Sequence, residues 1–331
     1  MAQTPALLVD DRDPNILYNT SCFSSAEQGA NSCYKGTFTT SEAPSNECSN
    51  GWFNYTFHGT GVHVAASILS ANTSYTVRLD DGEVQYQVGQ GSYYSPILPD
   101  GQHTITYAFS SPGFSLPLFD YLAITPGLST PLQGQTLAVD DSDSSISFSG
   151  SWSPVSPISV VPPLYRGTAH WSSVIGDSLQ FEFEGSSISI FGTAVNVSEG
   201  AITTMYTLDG VPTISGLPRG TIGSTSFVQL FHADVKSGSH ALIVNITGIQ
   251  LTQALGIDLI AYNASFNSIS SLPSLSGSKP KSSLNTGSKI GITFGVLAFA
   301  AIVAALLLFL RRKYTRPKNL DSDFTIAVSS W

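Results

Sequence analysis

The chain has 331 residues, a formal net charge of −9 at neutral pH and only 11% charged side chains. Soluble domains usually carry about 25%, so solubility here must come from Ser, Thr, Asn and attached sugar. The acidic balance argues against a nucleic-acid partner.

The opening MAQTPALLVDDRD has no basic n-region and only Ala6 to Val9 as an apolar stretch. It is not a secretory signal, and the expectation is that the natural start lies upstream. A first series of landmarks follows: LLVDDRD from Leu7, YKGT from Tyr34, FNYTFHGTGVHV from Phe53, YTVRLDDG from Tyr75, DGQHTITYAF from Asp100 and LFDYLAIT from Leu118. Phe53, Tyr55 and Phe57 alternate with polar residues, and Val62, Val64 and Ala66 resume after Gly59-Thr60-Gly61. This reads as a β-hairpin with one wet face. Cys22, Cys33 and Cys48 all fall in this first part. In an oxidising compartment one disulfide is expected, and spacing does not choose among the three pairings. The spacing is not that of a zinc site.

The same six landmarks return in the same order: LAVDDSD from Leu137, YRGT from Tyr165, LQFEFEGSSISIFG from Leu179, YTLDG from Tyr206, SGSHALIVNI from Ser237 and GIDLIAYN from Gly256. An ordered recurrence of this kind implies two tandem domains, placed at 1–127 and 134–263. Period-two alternation in short strands, separated by Gly, Pro, Asn and Ser, predicts antiparallel β-sandwiches. IDLIAYN and FDYLAIT, apolar almost throughout, are expected as central strands.

From Ala264 to Lys289 ten of twenty-six residues are Ser, which reads as a stalk. Residues 290–310, IGITFGVLAFAAIVAALLLFL, carry no charge and are followed by Arg311, Arg312 and Lys313. As a helix this run is about 31 Å long, enough to cross a bilayer core of about 30 Å. The tail 311–331 has five basic and two acidic residues, so it is placed in the cytoplasm and the rest outside. Gly291 and Gly295 form a small-residue face suited to a homodimer of spans. Sequons at Asn19, Asn54, Asn72, Asn196, Asn245 and Asn263 all lie on the outer side. The expected localisation is the plasma membrane, single-pass.

Asp10, Asp11 and Asp13, with Asp140, Asp141 and Asp143, invite a calcium reading because hard oxygen ligands suit that ion. Carboxylates capping a turn or facing water are the preferred reading, and no metal site or cofactor is assigned. Asp120 and Asp258 sit in apolar strands, where an isolated charge is costly, and are expected to accept backbone or loop hydrogen bonds. His103 and His240 occupy equivalent strand entries, which favours a shared structural bond. No G-x-S-x-G and no H-E-x-x-H occurs, and no catalytic residue is assigned. Sugar rings stack on exposed aromatics. The candidates are Trp52, Tyr93, Tyr94, Trp152, Tyr165 and Trp171, with Tyr93, Tyr94 and Trp171 chosen as ligand-binding. Tyr93-Tyr94 lies in the Gly-rich VGQGSYYSP, and two neighbours on an extended chain cannot both face inward.

The VDD openings at Val9 and Val139, the Y-[KR]-G-T segments, the F-x-F-x-G stretches, the G-x-H strands and the closing D-[YL]-[LI]-A strands resemble a family of mushroom-type fungal membrane proteins. That family has tandem galactose-binding-like jelly-roll ectodomains on a single span. The resemblance implies an all-β fold, two tandem antiparallel jelly-roll β-sandwiches followed by one transmembrane α-helix. It implies no assigned reaction. In it a His follows G-T, as at His170, whereas the first copy has Phe38-Thr39. The resulting expectation is a non-catalytic cell-surface binding or adhesion protein contacting glycan. The alternatives are an extracellular glycosidase or esterase on a jelly-roll scaffold, and a ligand-free tether between wall and membrane.

Overall fold

A computed structural model describes residues 5–271 apart from 23, 29–32, 42–47, 69–73, 111–116, 158–163, 199, 219–220 and 222. The stalk beyond residue 271, the span 290–310 with Gly291 and Gly295, the tail and the sequon at Asn72 lie outside the described residues. No helix among the described residues is long and apolar enough to cross a membrane.

The described fold is all-β, with antiparallel pairing and only short 3-10 turns for helix. Its larger sheet runs in the order Val211–Gly216, Thr203–Leu208, Gly223–Gly248, Ser178–Val197, Ala254–Ala264, Thr136–Asp140, Ala6–Asp10, Pro117–Thr125, Thr37–Ser41, Ser24–Gln28. The smaller sheet, built wholly from the first repeat, runs Leu17–Tyr18, Phe53–Gly59, Gly101–Ser110, Ser74–Leu79, Gln85–Val88. Both closing strands, FDYLAIT and IDLIAYN, lie inside the larger sheet with partners on either side.

The two repeats are joined edge to edge. Their opening strands pair antiparallel, with Ala6 opposite Ala138 and Leu7 opposite Leu137, so one sheet passes through both copies about an internal pseudo-twofold. Side-chain alternation then divides the burial. Leu7, Val9, Leu137 and Val139 enter the main core, while Ala6, Leu8 and Ala138 face a second cluster containing Tyr34, Tyr121, Tyr165, Phe191 and Phe227. In that cluster Tyr34 comes from the first repeat and Phe191 from the second, their ring centroids 5.6 Å apart. Each ring buried there contributes about 1.5–3 kcal/mol relative to exposure. That apolar seam joins the repeats alongside the backbone ladder.

The F-x-F-x-G stretches are not hairpins. Phe53–Gly59 pairs with Gly101–Ser110, whereas Gly61–Ile68 pairs with Pro117–Thr125 in the other sheet. The chain therefore turns a corner from one sheet into the other. In the second repeat the equivalent is one strand, Ser178–Val197, with a register shift between Gly185 and Ser187. A Cβ on Gly59 would stand 2.5 Å from the Thr125 carbonyl oxygen, and one on Gly185 would stand 2.6 Å from that of Asn263. Glycine is needed at the corner because the bent strand presses against the closing strand.

Cys22 and Cys48 form the disulfide, with Cα atoms 5.4 Å apart. Cys33 stands outside it, before the 3-10 turn Tyr34–Gly36. Residues at the start of the expected stalk belong to the fold, since Ala264 and Phe266 are buried. Of the sequon asparagines, Asn196 is exposed, and Asn19, Asn54, Asn245 and Asn263 are partly covered. The Asn54 and Asn263 side-chain oxygens accept hydrogen bonds from Thr106 and Thr136.

Candidate functional site

The aspartates of the two VDD openings lock the Y-[KR]-G-T turns in place. In the first repeat buried Asp11 accepts hydrogen bonds from the hydroxyls of Thr37 and Thr39, each at 2.6 Å. In the second, buried Asp141 accepts from Thr168 at 2.7 Å and contacts His170 Nδ1 at 2.5 Å. His170 thus stands where Thr39 stands in the first copy. The closing strands complete each lock: Asp120 accepts from the Tyr34 N–H at 2.8 Å and Asp258 from the Tyr165 N–H at 2.9 Å. Burial pushes both of these carboxyls well above the usual range, and the N–H bonds offset it only in part. The turns themselves are left-handed at Lys35 (φ 52°) and Arg166 (φ 51°), a conformation costly for residues with a Cβ. It is held by this enclosing network. Asp11 and Asp141 face the protein interior rather than water, and their oxygens are taken up by hydroxyl and imidazole groups. Among the described residues there is no group of three or more metal-ligating side chains.

Each turn reaches across the seam onto the sheet of the other repeat. The Tyr165-Arg166 turn closes one side of a recess of about 260 Å³, whose floor is Ala6, His63 and Ala123 and whose rim is Tyr94 to Ile97. A shallower hollow of about 600 Å³ adjoins it, lined by Tyr94, Asp140, Ser142, Arg166 and Thr168. Tyr94 is 60% exposed, and one face of its ring stacks on His63 with centroids 3.9 Å apart and planes 6° from parallel. Burial, reinforced by the Arg166 charge, lowers His63 to about 4, so the imidazole is neutral at physiological pH. The result is a fixed aromatic platform with polar groups around it.

Two polar side chains at this site are buried, and one carboxylate oxygen among them lacks a hydrogen bond. Asp140 is 4% exposed, its Oδ1 has no hydrogen-bond partner, and Ser142 donates to its other oxygen. Burial raises its carboxyl, against the opposing effects of Ser142 and Arg166. The Tyr165 hydroxyl is buried beside the Arg166 guanidinium, which sits 5.4 Å from its ring centroid and opposes the effect of burial on the phenol. Burial lifts this phenol to about 12. Unsatisfied buried polar atoms cost about 1–3 kcal/mol each. The open face of Tyr94 can take the C–H face of a polyhydroxylated ring, with Arg166 and Thr168 beside it.

Of the three residues expected to bind ligand, the structure places only Tyr94 at an open surface. Tyr93 is 5% exposed, its ring packed inward and its hydroxyl donating to Gln85. Trp171 is 3% exposed, packed against Ala169, Val195 and Ala254. Neither presents a ring face to a ligand, because strand alternation or core packing consumes it. Trp52 is likewise buried, with its indole N–H donating to Ser24. His63, Asp140 and Arg166 were not singled out as ligand-binding from the sequence. The basic residue repeated in Y-[KR]-G-T was the available signal for Arg166.

No family profile matches the chain. It is 27% identical over 218 residues to an A type blood alpha-D-galactosamine galactosaminidase of Flavonifractor plautii, covering 62% of this chain and 19% of that one. The chain therefore spans about a fifth of that relative. Among solved structures, a family two carbohydrate esterase from Cellvibrio japonicus is 14% identical with TM-score 0.29, covering 40% of this chain and 35% of the other. The N-terminal CBM22-1-CBM22-2 tandem domain of Paenibacillus barcinonensis Xyn10C is 11% identical with TM-score 0.26, covering 78% of this chain and 93% of the other. Overlays at those scores carry no assignment of fold or site. The expectation that the chain is not an enzyme is corrected by the curated relative, which is a galactosaminidase. A fungal source and a membrane anchor find no support in these relatives.

Proposed function

We propose that this chain engages carbohydrate at the Tyr94 recess as part of a carbohydrate-active protein of the glycosidase or esterase kind, on a jelly-roll scaffold. The observation that carries the reading is the half-open Tyr94 ring, held flat on neutral His63 and bordered by Arg166, Thr168 and Asp140. An amino sugar offers an apolar ring face to Tyr94 and hydroxyl groups to Arg166 and Thr168. The galactosaminidase relative supports that choice of sugar. Following the apolar run 290–310, the recess is placed outside a plasma membrane. Titrating an oligosaccharide ending in alpha-linked galactosamine into the protein should give saturable binding that Tyr94→Ala weakens about tenfold, or about 1.4 kcal/mol. Binding unaffected by that change rejects the site.

Hydrolysis at the same recess is favoured by one further feature. Burial keeps the Asp140 carboxyl protonated to higher pH than an ordinary aspartate, as a general acid requires. In this reading Asp140 gives its proton to the leaving oxygen as the glycosidic C–O bond breaks, and a water molecule adds to the sugar carbon and releases its proton to solvent. Release of galactosamine from the oligosaccharide by the wild type, lost in Asp140→Asn while binding persists, is the expected result. Equal release by both proteins removes Asp140 from the chemistry.

A further inference from the structure

The internal pseudo-twofold that pairs the opening strands also repeats the recess. On the second repeat a hollow of about 390 Å³ is lined by Thr136, Ser187, Ser189, Ala261 and Asn263, and closed by the Tyr34-Lys35 turn. These positions correspond in order to Ala6, Gly61, His63, Ala123 and Thr125, closed by the Tyr165-Arg166 turn, in the recess already described. The scaffold is the same but the chemistry has changed. Where the first floor has His63 carrying Tyr94, the second has the Ser189 hydroxyl, paired at 2.9 Å with His232. Asn263, whose side-chain oxygen is taken up by Thr136, replaces Thr125, and exposed Gln229 supplies an amide at the rim. Lys35 lies 3.8 Å from Asp10, so its charge is already matched and does not call for an anionic ligand.

We infer that the second hollow is a second saccharide site, which holds a neutral sugar residue by hydroxyl-to-amide and hydroxyl-to-hydroxyl bonds without an aromatic platform. This rests on the carbohydrate reading above. Both recesses use the same face of one continuous sheet, the face that carries Ala6, Leu8 and Ala138. From the antiparallel register, Ala6 and Thr136 are about 8 Å apart, with the Tyr34, Tyr165, Phe191 and Phe227 rings packed on the sheet between the two recesses. Two weak sites on one rigid sheet raise the apparent affinity for a longer glycan beyond that of either alone.

The test is calorimetric titration of the full chain with the galactosamine-terminated oligosaccharide and, separately, with free galactose. The inference expects two binding events in the wild type. Tyr94→Ala should leave the second event intact, and the double change Ser189→Ala with Gln229→Ala should weaken the second at least tenfold while sparing the first. Gln229→Ala alone, an exposed substitution that leaves folding undisturbed, should weaken the second event about threefold. A single event abolished by Tyr94→Ala and indifferent to Ser189 and Gln229 overturns the second site and keeps the first. No binding of either sugar to the folded wild type overturns both.

Discussion

The Asp258 carboxylate accepts the main-chain N–H of Tyr165 at 2.9 Å across 93 residues of chain. Asp120 does the same for Tyr34 at 2.8 Å across 86. One bond per repeat thus ties the end of the repeat to its left-handed turn, and each turn closes a recess on the neighbouring repeat.

Asp258→Asn keeps an acceptor for the Tyr165 N–H and, like the protonated acid, carries no charge. It should cost little at pH 5, whereas Asp258→Ala removes the acceptor from a buried N–H and should cost about 1–3 kcal/mol. A carboxyl raised in the folded state stabilises most below the unfolded value and loses that contribution as pH rises through the folded one. Asp258 is raised well above 3.8, and burial raises Asp10 to about 6. Thermal melts should therefore show wild-type stability declining upward from about pH 4, less steeply in Asp258→Asn. Parallel pH profiles for the two proteins would contradict this.

His103 contacts Asp80 at 2.7 Å, and His240 contacts Asp209 at 2.6 Å. The Asp80 bond and the Pro99 carbonyl raise His103. For His240 burial opposes the charge, but Asp209 and the Lys236 carbonyl outweigh it. Both pairs stabilise fully just below about 6.5, fade as pH rises through the folded histidine value, and are lost in acid as Asp80 and Asp209, themselves held below 3.8, take up protons. In an NMR titration His103 and His240 should titrate above 6.5 and His63 near 4. Ordinary values for all three would remove both the pairs and the buried platform.

Gly59→Ala and Gly185→Ala each put a methyl against a main-chain carbonyl at the sheet corner. Each should cost about 1–3 kcal/mol, as overpacking does. Equilibrium denaturation measures it, and a change below about 0.5 kcal/mol in both would mean that the corner relaxes freely.

The Cys22–Cys48 bridge closes a loop spanning 26 residues of sequence. Replacing both with Ser should lower stability by about 3 kcal/mol, measured as a shift in the denaturation midpoint. Replacing Cys33, which lies outside the bridge, with Ser should move that midpoint far less. The reverse pattern would contradict the pairing.

Much of the scaffold is legible in the chain because each recurring landmark fixes backbone. VDD, Y-[KR]-G-T and the closing D-[YL]-[LI]-A are the parts of the lock around Asp11, Asp120, Asp141 and Asp258. The corner at Gly59 was read as a hairpin because strand alternation and a central glycine look alike in both, and only pairing partners separate them. Tyr94 was recognisable from its neighbour Tyr93 facing the other way. Its platform was not, since His63 meets Tyr94 through the register of two strands and Arg166 arrives from the other repeat. A site built at the seam of two copies leaves no local pattern in either.

The most direct test of the account is the affinity of the intact protein and of Tyr94→Ala for an oligosaccharide ending in alpha-linked galactosamine, measured side by side. The account predicts saturable binding by the first and about tenfold weaker binding by the second, with unchanged thermal stability. Equal affinity in the two proteins, or no binding by the folded wild type, contradicts it.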